Sequence, residues 1–244
     1  MIEVFILSLI AGFASALGGL IVIYFKGISH RAVGMGLGFS AGVMIVIAFM
    51  SLFYKALEIG PYEIVVVSFI AGSLLMMFFD FFIPHKHFCG RRSEGQGRMM
   101  KLGILVALGM TMHNFPEGAI IGVGYTVLPA FGIILALAIA IHNIPEGVAV
   151  AVPLKAAGMK NSRIFKITLM SGMAEPLGAL IAALFLVAVP GVLPIALAFT
   201  GGVMVYLSID ELIPVAKAQC RNTRVISIGI IIGMALAMAL EALV

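Results

Sequence analysis

Eight apolar stretches of close to twenty residues, separated by short polar loops, constrain this chain more firmly than any other feature. They run over Ile2–Phe25, Val33–Leu57, Tyr62–Pro84, Met100–Tyr125, Ala130–Leu154, Ile164–Val189, Pro194–Ala216 and Val225–Leu240. About twenty residues of helix cross the hydrocarbon core of a bilayer. A membrane strand barrel needs segments of about ten residues with alternating polarity, and the sequence has none. Composition agrees, with 62% of the 244 residues hydrophobic and 11% charged, where soluble domains carry about 25% charged residues. The expectation is an all-α polytopic membrane protein with eight transmembrane helices, forming a single transmembrane domain over residues 1–244.

The cations orient the spans. All of the 15 Lys and Arg residues except Lys55 fall in the loops after the first, third, fifth and seventh spans or in the first three residues of the span that follows. Short loops rich in Lys and Arg stay cytoplasmic, so both termini are expected to be extracytoplasmic, in a plasma membrane such as the bacterial inner membrane. A net charge of +4 calls for no nucleic acid, because anionic lipid of the inner leaflet balances it. Met1, Ile2 and Glu3 stand where a signal peptide would place positive charge, so the first span is expected to remain in the protein. Cys89 and Cys220 both fall in predicted cytoplasmic loops, where thiols stay reduced, and no disulfide is expected.

Six acidic residues lie inside the spans: Asp80, Glu117, Glu146, Glu175, Asp210 and Glu211. A carboxylate near the bilayer centre costs about 2.5–3.5 kcal/mol on insertion scales, so it needs a cavity or a partner. No Lys or Arg lies deep enough in a span to neutralise Glu117, Glu146 or Glu175. Protons or a bound metal ion must do so. The fourth span reads HNFPEG from His113 and the fifth HNIPEG from His142. Within each motif His and Glu are four residues apart and Asn and Glu three apart, which puts all three side chains on one helix face. His113, His142 and Glu175 each fall near the middle of a span, so these faces can meet at one depth. Imidazole, carboxylate and amide oxygen form a mixed set suited to Zn²⁺, Fe²⁺ or Mn²⁺. The set is too rich in nitrogen to prefer Ca²⁺ or Mg²⁺, and it lacks the thiolates of a Cu(I) site.

The prolines fit this reading. Pro116 and Pro145 have no N–H and clash with the carbonyl four residues back, which should interrupt the helices and free the carbonyls of Met112 and Ile141. Interrupted helices at the midplane are a common device of membrane ion sites. Gly118 and Gly147, which follow the glutamates, allow close helix approach. Binding alone does not distinguish a transporter from a membrane-embedded metal-dependent hydrolase or a metal sensor. Against the hydrolase, the sequence has no H-E-x-x-H motif and no Ser or Cys nucleophile beside the paired motifs. Against the sensor, it encodes no signalling domain.

The paired HNxPEG motifs resemble those of the ZIP metal-ion transporters, in their bacterial broad-specificity branch. The resemblance covers nearly the whole chain, with support from GFSAGVM, DFFIPH, SGMAEPLGA and SIDELIP in the second, third, sixth and seventh spans. It implies a 3+2+3 bundle with inverted symmetry between the outer three-helix units, and movement of divalent transition metals into the cytoplasm. The metal is then transported ligand rather than cofactor, and the protein is not an enzyme. Residue by residue, the resemblance puts a first metal at His113, Glu117, His142 and Glu146, with the Met44 thioether as a further ligand. It puts a second at Asn114, Glu117, Asn143, Glu146 and Glu175.

The resemblance further implies a cytoplasmic release path through Asp80, Asp210 and Glu211, for which the residues alone equally allow a role in helix packing. His85 and His87, with Cys89, could receive metal on the loop after the third span, or be solvated surface. His30 reads as a loop residue. In the second span Ala48 and Ser51 stand where relatives of this branch carry Ser and Glu, so an accessory ligand is missing here. Membrane lipid and divalent ions are the expected partners, and a homodimer is an open possibility.

Overall fold

The computed structural model describes residues 1–25, 29–82 and 96–242. These form helices joined by tight turns, with no strand among the described residues. The helices are α1 (Ile2–Tyr24), α2 (His30–Ile59), α3 (Tyr62–Phe82), α4 (Gln96–Val127), α5 (Pro129–Ala156), α6 (Asn161–Gly172 continued by Ala174–Ala188), α7 (Leu193–Gln219) and α8 (Thr223–Glu241). Seven are long and apolar enough to cross a membrane, and α3 adds a shorter apolar stretch over Tyr62–Phe78. The surface is that of a protein dissolved in lipid, with Ile10, Val67, Leu184 and Ile231 more exposed than the core glutamates. His30 is the first residue of α2 rather than a loop residue, and Ser29 caps that helix by accepting from Ala32 N.

The expected breaks at Pro116 and Pro145 do not occur. Both prolines sit inside uninterrupted helices, α4 and α5. A proline removes one bond of the ladder, and a turn clamped by neighbouring helices keeps the rest. Pro145 is clamped in this way, since a Cβ added at Gly36 on α2 would lie 3.0 Å from its Cβ. The irregular backbone lies elsewhere. α2 widens into π turns over Ile47–Tyr54, α7 does so over Ser208–Leu212, and α6 is interrupted at Met173, just before Glu175. Such wide turns are a recurrent feature of functional sites.

Helix packing repeats with a constant offset. A Cβ built at Gly147 on α5 would lie 1.9 Å from Ser15 O on α1, and one at Gly118 on α4 would lie 1.9 Å from Glu175 O on α6. Gly18 faces Ile144 O at 2.2 Å as Gly178 faces Phe115 O at 2.0 Å. Each α1 residue therefore has an α6 counterpart 160 positions later (15 and 175, 18 and 178), and α4 and α5 exchange with a shift of 29 (118 and 147, 115 and 144). In the outer pairs, Gly42 meets Ile230 O as Gly202 meets Phe69 O, and Gly72 meets Phe199 O as Gly233 meets Phe39 O. The sequence carries the same trace in GFSAGVM at 38–44 and AFTGGVM at 198–204. Equivalent helices are five apart in the outer units and one apart for α4 and α5, an odd number in each case, so they run in opposite directions. Without side chains at these glycines the backbones touch directly, as lipid-embedded helices require for tight association.

Candidate metal centre

Where α4 and α5 cross, the two motif faces meet. One ligand atom each from Glu117, His142 and Glu146 lie within 4.8 Å of one another, and all three residues are buried. His142 Nε2 lies 2.9 Å from Glu117 Oε1, so the two motifs touch directly. Ions of this class sit about 2.0–2.2 Å from nitrogen and oxygen ligands, which places neighbouring ligands about 3–4 Å apart. The trio can close on one ion by small rotamer changes.

A second layer reaches the flanking helices. Asn143 Nδ2 donates to Glu175 Oε1 at 2.5 Å and to Ala11 O at 3.1 Å, tying α5 to both α6 and α1. Asn114 Nδ2 donates to Ser171 O at 3.0 Å on α6. Glu175 is buried within electrostatic range of Glu117 and Glu146. Its Oε2, together with Asn114 Oδ1 and Asn143 Oδ1, is buried with no hydrogen-bond partner among the described residues. Polar oxygens left so in a membrane core are costly unless something coordinates them. The donor set and its orphaned oxygens thus fit a divalent cation.

Met44 is fully buried on α2. It lies one turn beyond Ser40, whose Oγ donates to His142 O at 2.6 Å and so fixes α2 against the second motif. Ser40 was not singled out as a site residue from the sequence, although it lies within GFSAGVM. The neighbours Asp210 and Glu211 diverge. Asp210 is exposed, whereas Glu211 is buried in the widened turn of α7 and approaches α4, its Oε2 3.3 Å from where a Cβ at Gly109 would stand. Gly109 is one turn before His113. The side chains of His113 and Asp80 lie outside those described, and His85, His87 and Cys89 lie outside the described residues. Ser51, in the widened turn of α2, donates to Glu241 Oε1 at the end of α8.

An all-α membrane bundle with buried carboxylate, imidazole and amide groups at its centre has the build of an ion transporter. The chain belongs to the ZIP zinc transporter family, whose model matches residues 84–241. It is 38% identical over 257 residues to zinc transporter ZupT of Oceanobacillus iheyensis, covering 97% of this chain and 96% of that protein. It is 38% identical to zinc transporter ZupT of Corynebacterium glutamicum, covering 96% of each, and 34% identical to that of Clostridium perfringens, covering 94% of this chain and 92% of that protein. The protein is accordingly a multi-pass plasma-membrane transporter of divalent metal ions, not an enzyme.

Proposed function

We propose that the protein carries Zn²⁺, and also Fe²⁺ or Mn²⁺, into the cytoplasm through a two-metal centre at the crossing of α4, α5 and α6. One ion is held by His113, Glu117, His142 and Glu146 with Met44. The other is held by Asn114, Glu117, Asn143, Glu146 and Glu175, so that Glu117 and Glu146 bridge both. Formal charge supports the count, since three carboxylates carry −3, one divalent ion leaves −1 and two leave +1. The observation that carries the reading is the buried trio of Glu117, His142 and Glu146, with ligand atoms within 4.8 Å of one another.

Glu211, one turn from the centre along α4, takes the ion next on its way to the cytoplasm, followed by Asp80, Asp210, His85 and His87. The centre's ligands must shed protons to bind metal, so metal arrival releases protons into the pathway. The test is Zn²⁺ entry into proteoliposomes loaded with a zinc-sensitive dye. Saturable flux is expected in the wild type and none in Glu146→Ala, whereas wild-type flux in that variant overturns the site.

A further inference from the structure

The pseudo-symmetry of the bundle makes a specific demand on the metal centre, and one residue fails to meet it. Residue 11 of α1 corresponds to residue 171 of α6, and the two asparagines behave accordingly: Asn143 donates to Ala11 O and Asn114 to Ser171 O. By the same relation, the bond from Asn143 to Glu175 on α6 has its image in a bond from Asn114 to residue 15 on α1. That residue is Ser15. It is two side-chain atoms shorter than a glutamate, and the image bond is not made.

Both ends of the unmade bond are buried. Ser15 is 3% exposed and Asn114 fully buried. Ser15 Oγ has no hydrogen-bond partner among the described residues, and Asn114 Nδ2, the atom the image bond would use, donates to Ser171 O. Ser171 Oγ on α6 likewise has no partner among the described residues, whereas other serines deep in the helices are bonded. Ser8 and Ser208 bond back to the carbonyl four residues earlier, and Ser40 bonds to His142 O. Ser15 carbonyl, meanwhile, is pressed against Gly147, the residue that follows Glu146. Ser15 therefore sits at the level of the centre, at the position on α1 that corresponds to Glu175 on α6.

We propose that Ser15 is a specificity-determining residue of the transport site, presenting its neutral hydroxyl oxygen to the ion on its α1 side. This rests on the metal-centre reading above. A carboxylate at position 15 would complete the symmetry but bring the formal charge of the centre to −4. The hydroxyl keeps an oxygen ligand while leaving one face weakly held, which favours release. A neutral oxygen ligand also matters more to an ion that prefers oxygen ligands, such as Mn²⁺, than to Zn²⁺, for which the imidazoles and carboxylates suffice.

The test compares equilibrium binding of Mn²⁺, Zn²⁺ and Cd²⁺ to purified wild type, Ser15→Ala, Ser15→Cys and Glu146→Ala, with thermal midpoints measured alongside. Ser15→Ala keeps the Cβ and so leaves the contact with Gly147 unchanged. It is expected to weaken Mn²⁺ by about tenfold or more, the range seen when groups supporting a metal site are removed, and Zn²⁺ by less. Ser15→Cys, which offers a soft ligand of similar size, is expected to shift the preference toward Cd²⁺. Unchanged ratios in both Ser15 variants, with binding lost in Glu146→Ala, overturn this proposal alone. Equal loss of all three ions together with a lowered thermal midpoint overturns it too, by making Ser15 structural. Wild-type binding in Glu146→Ala instead overturns the metal centre itself.

Discussion

Replacing Gly118 by alanine should disable the centre without touching a ligand. The added Cβ would lie 1.9 Å from Glu175 O and 2.6 Å from its C and Cα, all backbone atoms. Carbon and oxygen in contact settle at about 3.3 Å or more, so α4 and α6 must part by about 1.4 Å at this point. Overpacking of this kind costs about 1–3 kcal/mol, within a folding stability of about 5–15 kcal/mol, and the bundle should survive. The metal centre is less tolerant, because ligand distances hold within about 0.2 Å. Even with half of the strain absorbed elsewhere, Glu175 shifts by about 0.7 Å relative to Glu117 and Glu146, several times that tolerance. Divalent affinity should fall at least about tenfold, or 1.4 kcal/mol. Gly191→Ala is the control, since nothing lies within 4 Å of a Cβ there. The assay is Zn²⁺ binding in detergent and uptake into proteoliposomes, with the thermal midpoint measured on the same samples. A Gly118→Ala protein that binds and transports as Gly191→Ala does would refute the argument that backbone contact sets ligand geometry.

Other expectations separate stability from function. Gly158, just past the end of α5, has φ 77° and its N–H donates to Lys155 O; Gly158→Ala should lower stability by about 1–2 kcal/mol, read as thermal midpoint, with Zn²⁺ affinity unchanged. Ser40→Ala removes the bond to His142 O and should cost about 0.5–1.5 kcal/mol, with a measurable rise in the Zn²⁺ dissociation constant because α2 no longer pins the second motif. Cys220 is buried, so in a Cys89→Ser background a maleimide should label the folded protein far more slowly than the unfolded one. Glu117→Gln keeps the shape of the side chain and removes its charge; binding of a divalent ion should drop by at least about thirtyfold, following the 2–5 kcal/mol cost of truncating a buried charge pair, and isothermal titration would detect any retained affinity.

The spans were readable because lipid demands long apolar helices, and seven of the helices are of that kind. The centre was readable because Glu117, His142 and Glu146 are charged or ionisable groups where hydrocarbon forbids them without compensation. Three features were not. The prolines look like breaks to any local rule, yet Pro145 rests on Gly36 from a distant helix and the ladder continues around it. The widened turns over Ile47–Tyr54 and Ser208–Leu212 contain no Pro or Gly to announce them. They also separate neighbours that periodicity treats alike, leaving Asp210 exposed and Glu211 buried. Ser15 carries meaning only through its counterpart Glu175, and that pairing emerges once the glycine contacts align α1 with α6.

Gly12 of α1 and Gly172 of α6 each rest on the carbonyl of the other. They also set a schedule for biogenesis. Synthesis at about 5–20 residues per second leaves roughly 8–32 s between the appearance of one and of the other. For most of that interval α1 is in the bilayer without α5, and throughout it without a complete α6. The first helix made is among the last to be seated. A bulky substitution at Gly12 should therefore surface as incompletely assembled chains removed by quality control, rather than as a mature protein with poor affinity.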